Sequence, residues 1–232
     1  MSEISILLPF TENKIYSKIP HLRSGRINKK YTTPKAKKRH MSKVKKIAIF
    51  ASGSGSNAES IVNYFVDNVS VEVAYFLTYN IEAGILKRGK RLGIPTLIFS
   101  KQNFVQSDAI IKFLKSQDID LVVLAGFLWL IPPAFIRAFP DKIVNIHPAL
   151  LPKFGGKGMW GHHVHEAVVA NEETESGITI HLVNENYDEG KILFQVKCPV
   201  LASDSAEIVA QNVLKLEHEH FSRVVEEVLI GL

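Results

Sequence analysis

Lys46-Ile47-Ala48-Ile49-Phe50-Ala51-Ser52-Gly53-Ser54-Gly55-Ser56-Asn57 decides the fold of this chain. Ile47 to Ala51 is unbroken apolar sequence, short enough for a strand covered on both faces, as strands of parallel sheets are. The glycine–serine run ends that strand and leads into a helical stretch expected at 58–65. Strand, small-residue loop and helix together open a βαβ unit. The alternation continues downstream. Strands are expected at 71–78, 96–99, 120–125 and 142–146, and helices at 83–92, 106–116 and 132–139. Gly93-Ile94-Pro95 stops the second helix, and proline in its first turn opens the last of the three. Helical connections between apolar strands predict an α/β fold, a doubly wound, mostly parallel sheet with flanking helices. After residue 152 the pattern shifts to a loop marked by Gly155, Gly156, Gly158 and Gly161. A helix at 162–170 and strands at 177–183 and 192–200 follow. The final helix runs to about residue 229, with Asp204 as N-cap and Glu207 completing a capping box.

Composition bounds the function. A chain of 232 residues, 46% hydrophobic, can build a sizeable core in one α/β domain. Its single cysteine, Cys198, excludes an intramolecular disulfide and fits a reducing, cytoplasmic compartment. In its predicted strand, Cys198 reads as a buried structural residue. No apolar run approaches the roughly 20 residues that span a bilayer, so no membrane partner is expected. The net charge of +5 suggests a nucleic-acid binder, but the distribution does not. Residues 1–46 hold 13 Lys or Arg and two acids, a balance of +11; the remainder holds 15 basic and 21 acidic residues, a balance of −6. The folded part is therefore acidic and a poor partner for nucleic acid.

Residues 1–43 read as a basic, disordered leader, and 44–232 as the catalytic domain. The leader lacks the Arg- and Ser-rich amphipathic face of a transit peptide. The reading favoured here starts the native chain at Met41, with Met-Ser-Lys-Val-Lys-Lys running into the first strand.

Asn145 and His147 lie two residues apart at the end of a strand, on one face, and Pro148 stops the ladder beyond them. An amide donor beside an imidazole suits the stabilisation of a developing oxyanion. Asp188 sits in the turn Asn186-Tyr187-Asp188-Glu189-Gly190 and can face the same sheet end. A carboxylate there would raise the His147 pKa and favour the imidazolium. Gly55, Ser56 and Asn57, before a helix N-terminus, suit an isolated phosphate. The loop has neither the third glycine of a dinucleotide fingerprint nor the Gly-Lys-Ser/Thr ending of a P-loop. His162, His163 and His165, and His218 and His220, lack zinc-helix spacing, so no metal is expected. His162 and His165 could share a helical face, and His218 and His220 read as solvated.

Strand–SGSGSN–helix, then LAGFLWLIPP, NIHPALLPKF and GITIHLVNENYDEGKILFQ in that order resembles the folate-dependent formyltransferases. The similarity runs from about residue 46 to 229. It is nearest to the branch that formylates glycinamide ribonucleotide in purine synthesis, on a fold whose N-terminal half is Rossmann-type. The resemblance implies 10-formyltetrahydrofolate as co-substrate and glycinamide ribonucleotide as acceptor, in a monomer or homodimer. It implies that Asn145 and His147 stabilise the oxyanion and that Asp188 assists proton transfer. It places Gly55, Ser56, Asn57 and Glu217 at the ribotide, and Leu128, Trp129, Leu130 and Asn145 at the folate. His181 matches a histidine near the site, although the alternation in ITIHLV also allows a satisfied structural one. Two departures stand out: Trp129 occupies a position where relatives often carry arginine, and the loop at 154–165 is glycine-rich and long.

A methionyl-tRNA formyltransferase would add a C-terminal nucleic-acid domain, and a formyltetrahydrofolate deformylase an N-terminal regulatory one. A sugar-nucleotide formyltransferase would use the same three catalytic residues. A non-catalytic binding module would not need them intact. The start at Met41 is open to intact-mass measurement on protein from its native source. The expected mass begins there, and a mass that includes residues 1–40 rejects it.

Overall fold

The computed structural model of the protein describes residues 43–232 and the backbone of a short strand, β1 (Ser5–Leu7). Apart from β1, the expected disordered leader lies outside the described residues. The elements that follow are β2 (Lys45–Phe50), α1 (Ser56–Phe65), β3 (Val71–Thr78), α2 (Gly84–Leu92) and β4 (Thr96–Ile98). Then come α3 (Ala109–Ser116), β5 (Leu121–Leu124), α4 (Pro133–Ala138), β6 (Ile143–His147) and α5 (His162–Ala170). The chain closes with β7 (Glu175–Leu182), β8 (Ile192–Pro199) and α6 (Ala206–Gly231).

The strands form one sheet in the order β1-β4-β3-β2-β5-β6-β7-β8. The run from β4 to β6 is parallel, as the helical crossovers require. β1 is antiparallel on β4, and β7 and β8 are antiparallel beyond β6. The chain builds outward from β2 to β4, then returns to place β5 on the other side of β2. This reversal opens a crevice at the carboxyl ends of β2 and β5, where ligands of open α/β sheets bind.

The pleat of β2 divides the core in two. Ile47 and Ile49 join the cluster under α1, α5 and α6, with Ala58, Val168 and Val213. Ala48 and Phe50 join the cluster under α3 and α4, with Leu114 and Phe135. Phe50 is fully enclosed, with the rings of Phe99, Phe127 and Phe135 edge-on to it at 5.8, 5.3 and 5.8 Å. Such edge-to-face contacts add to the apolar burial of each ring.

Three local expectations are corrected. The N-cap of α6 is Ser205, whose hydroxyl accepts from the Ile208 amide, while Asp204 accepts from the Leu201 amide in the preceding turn. The helix expected at 106–116 begins at Ala109, because a separate π-helical turn occupies Gln102–Gln106. Cys198 is half-buried rather than enclosed, since it lies on the outer strand β8. No described helix is long and apolar enough to cross a membrane.

Gly190 locks the β7–β8 connection, where the Leu182 amide donates to Lys191 O at 2.9 Å. A Cβ at Gly190 would lie 1.6 Å from Leu182 O, a backbone atom that cannot step aside. Gly190→Ala is therefore expected to cost at least about 2 kcal/mol in urea denaturation and to displace the turn carrying Asp188. Unchanged stability would contradict this packing.

Candidate active site

The carboxyl end of β6 carries the first two site residues. Asn145 and His147 leave the strand on the same face, two positions apart. The turn that follows is clamped by Thr179, the β7 residue in register with His147. The buried Thr179 hydroxyl donates to Ala149 O at 2.7 Å and accepts from the Leu151 amide at 3.0 Å. The Gln195 side chain also donates to this hydroxyl, at 2.8 Å. In the sequence this clamp shows only as a polar residue on an apolar strand. The chain then reaches Phe154, whose carbonyl accepts a 2.7 Å hydrogen bond from His147 Nε2–H. A carbonyl can only accept, so neutral His147 carries its proton on Nε2 and presents a bare Nδ1. Nδ1 faces Asp188 Oδ2 at 3.7 Å.

Asp188 holds a left-handed backbone conformation, φ 54°, in the β7–β8 connection. Its Oδ2 accepts from the Gly156 amide at 2.9 Å, and its Oδ1 faces His181 Nε2 at 3.7 Å. Burial pushes the carboxyl up, but the imidazoles of His181 and His147, when protonated, and the Gly156 amide outweigh it and hold the pKa below its usual value. Asp188 is therefore ionised at neutral pH.

His181 settles the orientation of Asn145. Its Nδ1–H donates to Leu182 O at 3.0 Å, which leaves Nε2 to accept from Asn145 Nδ2 at 3.1 Å. Buried and satisfied, His181 is both a structural histidine and a direct neighbour of the site. Asn145 Nδ2 carries two hydrogens, and the second remains for a ligand.

The sequence reading expected an imidazolium at His147, and the structure corrects this. His147 is 4% exposed, and burial lowers its pKa by more than Asp188 and the Phe154 carbonyl raise it. The resting imidazole is neutral.

These residues open into one cavity of about 710 Å³, within the range of small-molecule sites. The glycine–serine loop forms one end. Gly55 caps α1 at φ 77°, and a Cβ there would lie 2.9 Å from the Ile85 Cβ, so glycine is required twice over. α1 has no side-chain cap, which leaves the amides of its first turn for an anion. Asn57 Nδ2 donates to Glu217 Oε2 at 2.6 Å, joining the loop to α6. Burial pushes the half-buried Glu217 carboxyl up, against the bond from Asn57. Gly55, Ser56, Asn57 and Glu217 are thus brought together as expected.

The segment from Leu124 to Ile131 also lines the cavity. The Leu128 amide donates to the Ser52 hydroxyl at 3.2 Å, tying this segment to the glycine loop. Leu128 and Leu130 are exposed at the rim. Trp129 stacks on Tyr79, with centroids 3.7 Å apart and planes 6° from parallel. An apolar, aromatic wall meeting a polar end suits a flat heterocycle with a hydrogen-bonding edge.

Sequence reasoning missed His165 and Lys157. Both line the cavity, and Lys157 is the only Lys or Arg to do so among the described residues. His162 does not share His165's environment, since its side chain is 51% exposed. His218 is exposed, but His220 packs against Phe194 with ring centroids 5.0 Å apart, not in open solvent. Among the described residues no group of His, Cys, Asp and Glu is gathered to hold a metal ion.

A doubly wound sheet thus carries an amide, an imidazole and a carboxylate converging in one cavity with a glycine-rich loop at a helix N-terminus. The formyl transferase pattern matches residues 45–225, and the chain belongs to this family. It is 42% identical over 192 residues to a chloroplastic phosphoribosylglycinamide formyltransferase of Arabidopsis thaliana, covering 80% of this chain and 66% of that one. The phosphoribosylglycinamide formyltransferase of Haemophilus influenzae is 34% identical, covering 79% of this chain and 86% of its own. A crystal structure of the Brucella melitensis phosphoribosylglycinamide formyltransferase superposes with TM-score 0.73 at 34% identity, over 82% of this chain and 98% of that one. The chain spans less than two thirds of the plant relatives' length.

His165 sets an acid limit on stability. Its pKa is lowered from 6.5 to about 4, first by burial and then by His162 and His147. Below pH 6.5 the unfolded chain binds this proton and the folded chain does not, so acid favours unfolding. The contribution is complete above pH 6.5 and falls by about 3 kcal/mol as pH drops to 4, with His147 adding in the same direction. Urea denaturation of His165→Phe is expected to show a shallower loss between pH 7 and 4.5 than the parent. Equal slopes would remove His165 as the cause.

Proposed function

We propose that the chain transfers the formyl group of 10-formyltetrahydrofolate to the amine of glycinamide ribonucleotide, the reaction named for its relatives. One observation carries this reading. Asn145, His147 and Asp188 meet in a single cavity that is also lined by a helix N-terminus without a side-chain cap and by the apolar, aromatic segment Leu128 to Leu130. The ribotide phosphate fits the amides at Gly55, Ser56 and Asn57, and the Lys157 side chain can add charge there. The pterin fits against Leu128, Trp129 and Leu130, read by backbone groups. The co-substrate supplies a formyl carbon bound to nitrogen.

In the proposed reaction the substrate amine forms a bond to that carbon, and the carbonyl oxygen becomes an oxyanion. The second hydrogen of Asn145 Nδ2 donates to it. His147 Nδ1, bare in the resting protein, takes the proton released by the amine. The imidazolium so formed lies between the Asp188 carboxylate and the oxyanion, and both stabilise it. The gap of 3.7 Å to Asp188 is too long for a direct hydrogen bond and suits a bridging water or a small closure. Collapse breaks the bond to the folate nitrogen, which receives the proton from His147. Residues 44–232 carry this activity, in the cytoplasm, and no resident metal enters it.

The test is a formyl-transfer assay with 10-formyltetrahydrofolate and glycinamide ribonucleotide, with His147→Ala and Asn145→Ala run beside the parent. Turnover by the parent is expected, with losses of about 10²–10³ in kcat for Asn145→Ala and at least as much for His147→Ala. No turnover by folded parent protein rejects the acceptor and turns the search to amino-sugar nucleotides.

A further inference from the structure

Six side-chain atoms among the described residues are enclosed without a hydrogen-bond partner. Only two belong to residues lining the large cavity: Asn57 Oδ1 and His165 Nδ1. Asn57 already bonds Glu217, whereas His165 makes no hydrogen bond with any described residue. A buried polar side chain left wholly unpaired in a native fold calls for a reason.

His165 is 6% exposed and lies on α5. An enclosed N–H without an acceptor is costlier than an enclosed bare lone pair. The proton therefore sits on Nε2, the ring nitrogen that is not sealed off. The imidazole thus presents a neutral N–H donor to the cavity.

Its place in the fold says which ligand it meets. α5 and α6 pack on the same sheet face as α1, and Val168, Val213 and Ala58 share one cluster there. Trp129 packs with the cluster on the opposite face. His165 therefore lines the cavity from the sheet face of α1 and α6, the helices that carry Asn57 and Glu217, and not from the face of Trp129. The titratable neighbours that act on it are His162 and His147. With the phosphate assigned to the amides of the glycine loop, the polar groups of a phosphoribosyl ligand left for a separate donor on that face are the ribose hydroxyls.

We infer that His165 is a specificity residue whose Nε2–H donates to a ribose hydroxyl of the phosphoribosyl substrate. This rests on the ribotide reading above. It differs from the roles of Asn145, His147 and Asp188 because it touches no reacting atom. The contact holds the sugar and leaves the chemistry alone.

Two measurements on His165→Phe and His165→Asn test it. In the transfer assay, His165→Phe is expected to raise KM for glycinamide ribonucleotide about tenfold, with kcat and the formyl-donor KM within about threefold of the parent. His165→Asn keeps a donor and is expected to recover part of the loss. In titration calorimetry, ribose 5-phosphate is expected to bind about tenfold more weakly to His165→Phe. A purely packing role would leave both ratios near one, since phenylalanine fills the same space. Unchanged ribose 5-phosphate affinity, a shift confined to the donor KM, or no binding by the parent overturns the inference. Binding that depends on His165 in a parent without turnover upholds this contact and rejects the proposed reaction. Where His165→Phe does not fold, His165→Asn carries the comparison alone, with weaker ribose 5-phosphate binding expected and parental affinity overturning it.

Discussion

The 2.7 Å hydrogen bond from His147 Nε2 to the Phe154 carbonyl is the constraint on which the site depends. It selects the tautomer, and through it the nitrogen that faces Asp188. It also pins the chain seven residues downstream, so that Gly156 arrives with its amide on Asp188. The same short segment thus orients the base and the carboxylate opposite it. Thr179 makes this geometry repeatable. By bonding Ala149 O and the Leu151 amide, its hydroxyl sets the path between His147 and Phe154. Proton placement in the centre is therefore a property of backbone carbonyls and one buried hydroxyl, not of the three reactive side chains alone.

Burial and charge act against each other at His147, and burial prevails at rest. This balance is useful for a reaction that creates negative charge. A permanently charged imidazole would already be neutralised by Asp188 and would have no room for the amine's proton. A neutral one beside an ionised carboxylate becomes a stronger base as the oxyanion grows, because the second negative charge adds to the first in a poorly solvated cavity. In the proposed reaction the proton is accepted when it must leave the amine and returned when the oxyanion disappears.

Much of this was legible in the sequence because it rests on local patterns. The apolar run of β2, the glycine loop and the proline after His147 each act within a few residues, so the parallel sheet, the loop and the placing of Asn145 and His147 at a strand end could all be read. Asp188 was legible because a turn after a predicted strand can face the sheet end. The protonation state of His147 was not, since the desolvation that decides it comes from elements far apart in the chain. Nor was the role of Thr179, which depends on register between β6 and β7. His165 was seen only as one of a histidine cluster, because the depth of a helical face is set by what packs on it. The N-cap of α6 was misplaced by one residue because Asp204 and Ser205 are both good caps, and only the path of the preceding turn selects between them.

Trp129 raises the question of how the proposed folate site would hold a charged co-substrate without a cation at that position. It offers area rather than charge. Trp129 lies flat on Tyr79 and meets Phe99, Phe104 and Phe127 at centroid distances of 6.2, 6.2 and 6.4 Å. That ring assembly is continuous with the core around Phe50, so the slot is held rigid by the same packing that stabilises the sheet. A rigid apolar wall lowers the entropy lost when a flat ring is bound. It also makes the slot less sensitive to salt than an exposed ion pair would be. In the proposed reading the charge of the substrates is met elsewhere in the cavity, by the helix amides at the glycine loop and by Lys157, which also lines it. Asn145 and His147 line the same cavity, where that reading brings the acceptor amine to the formyl carbon.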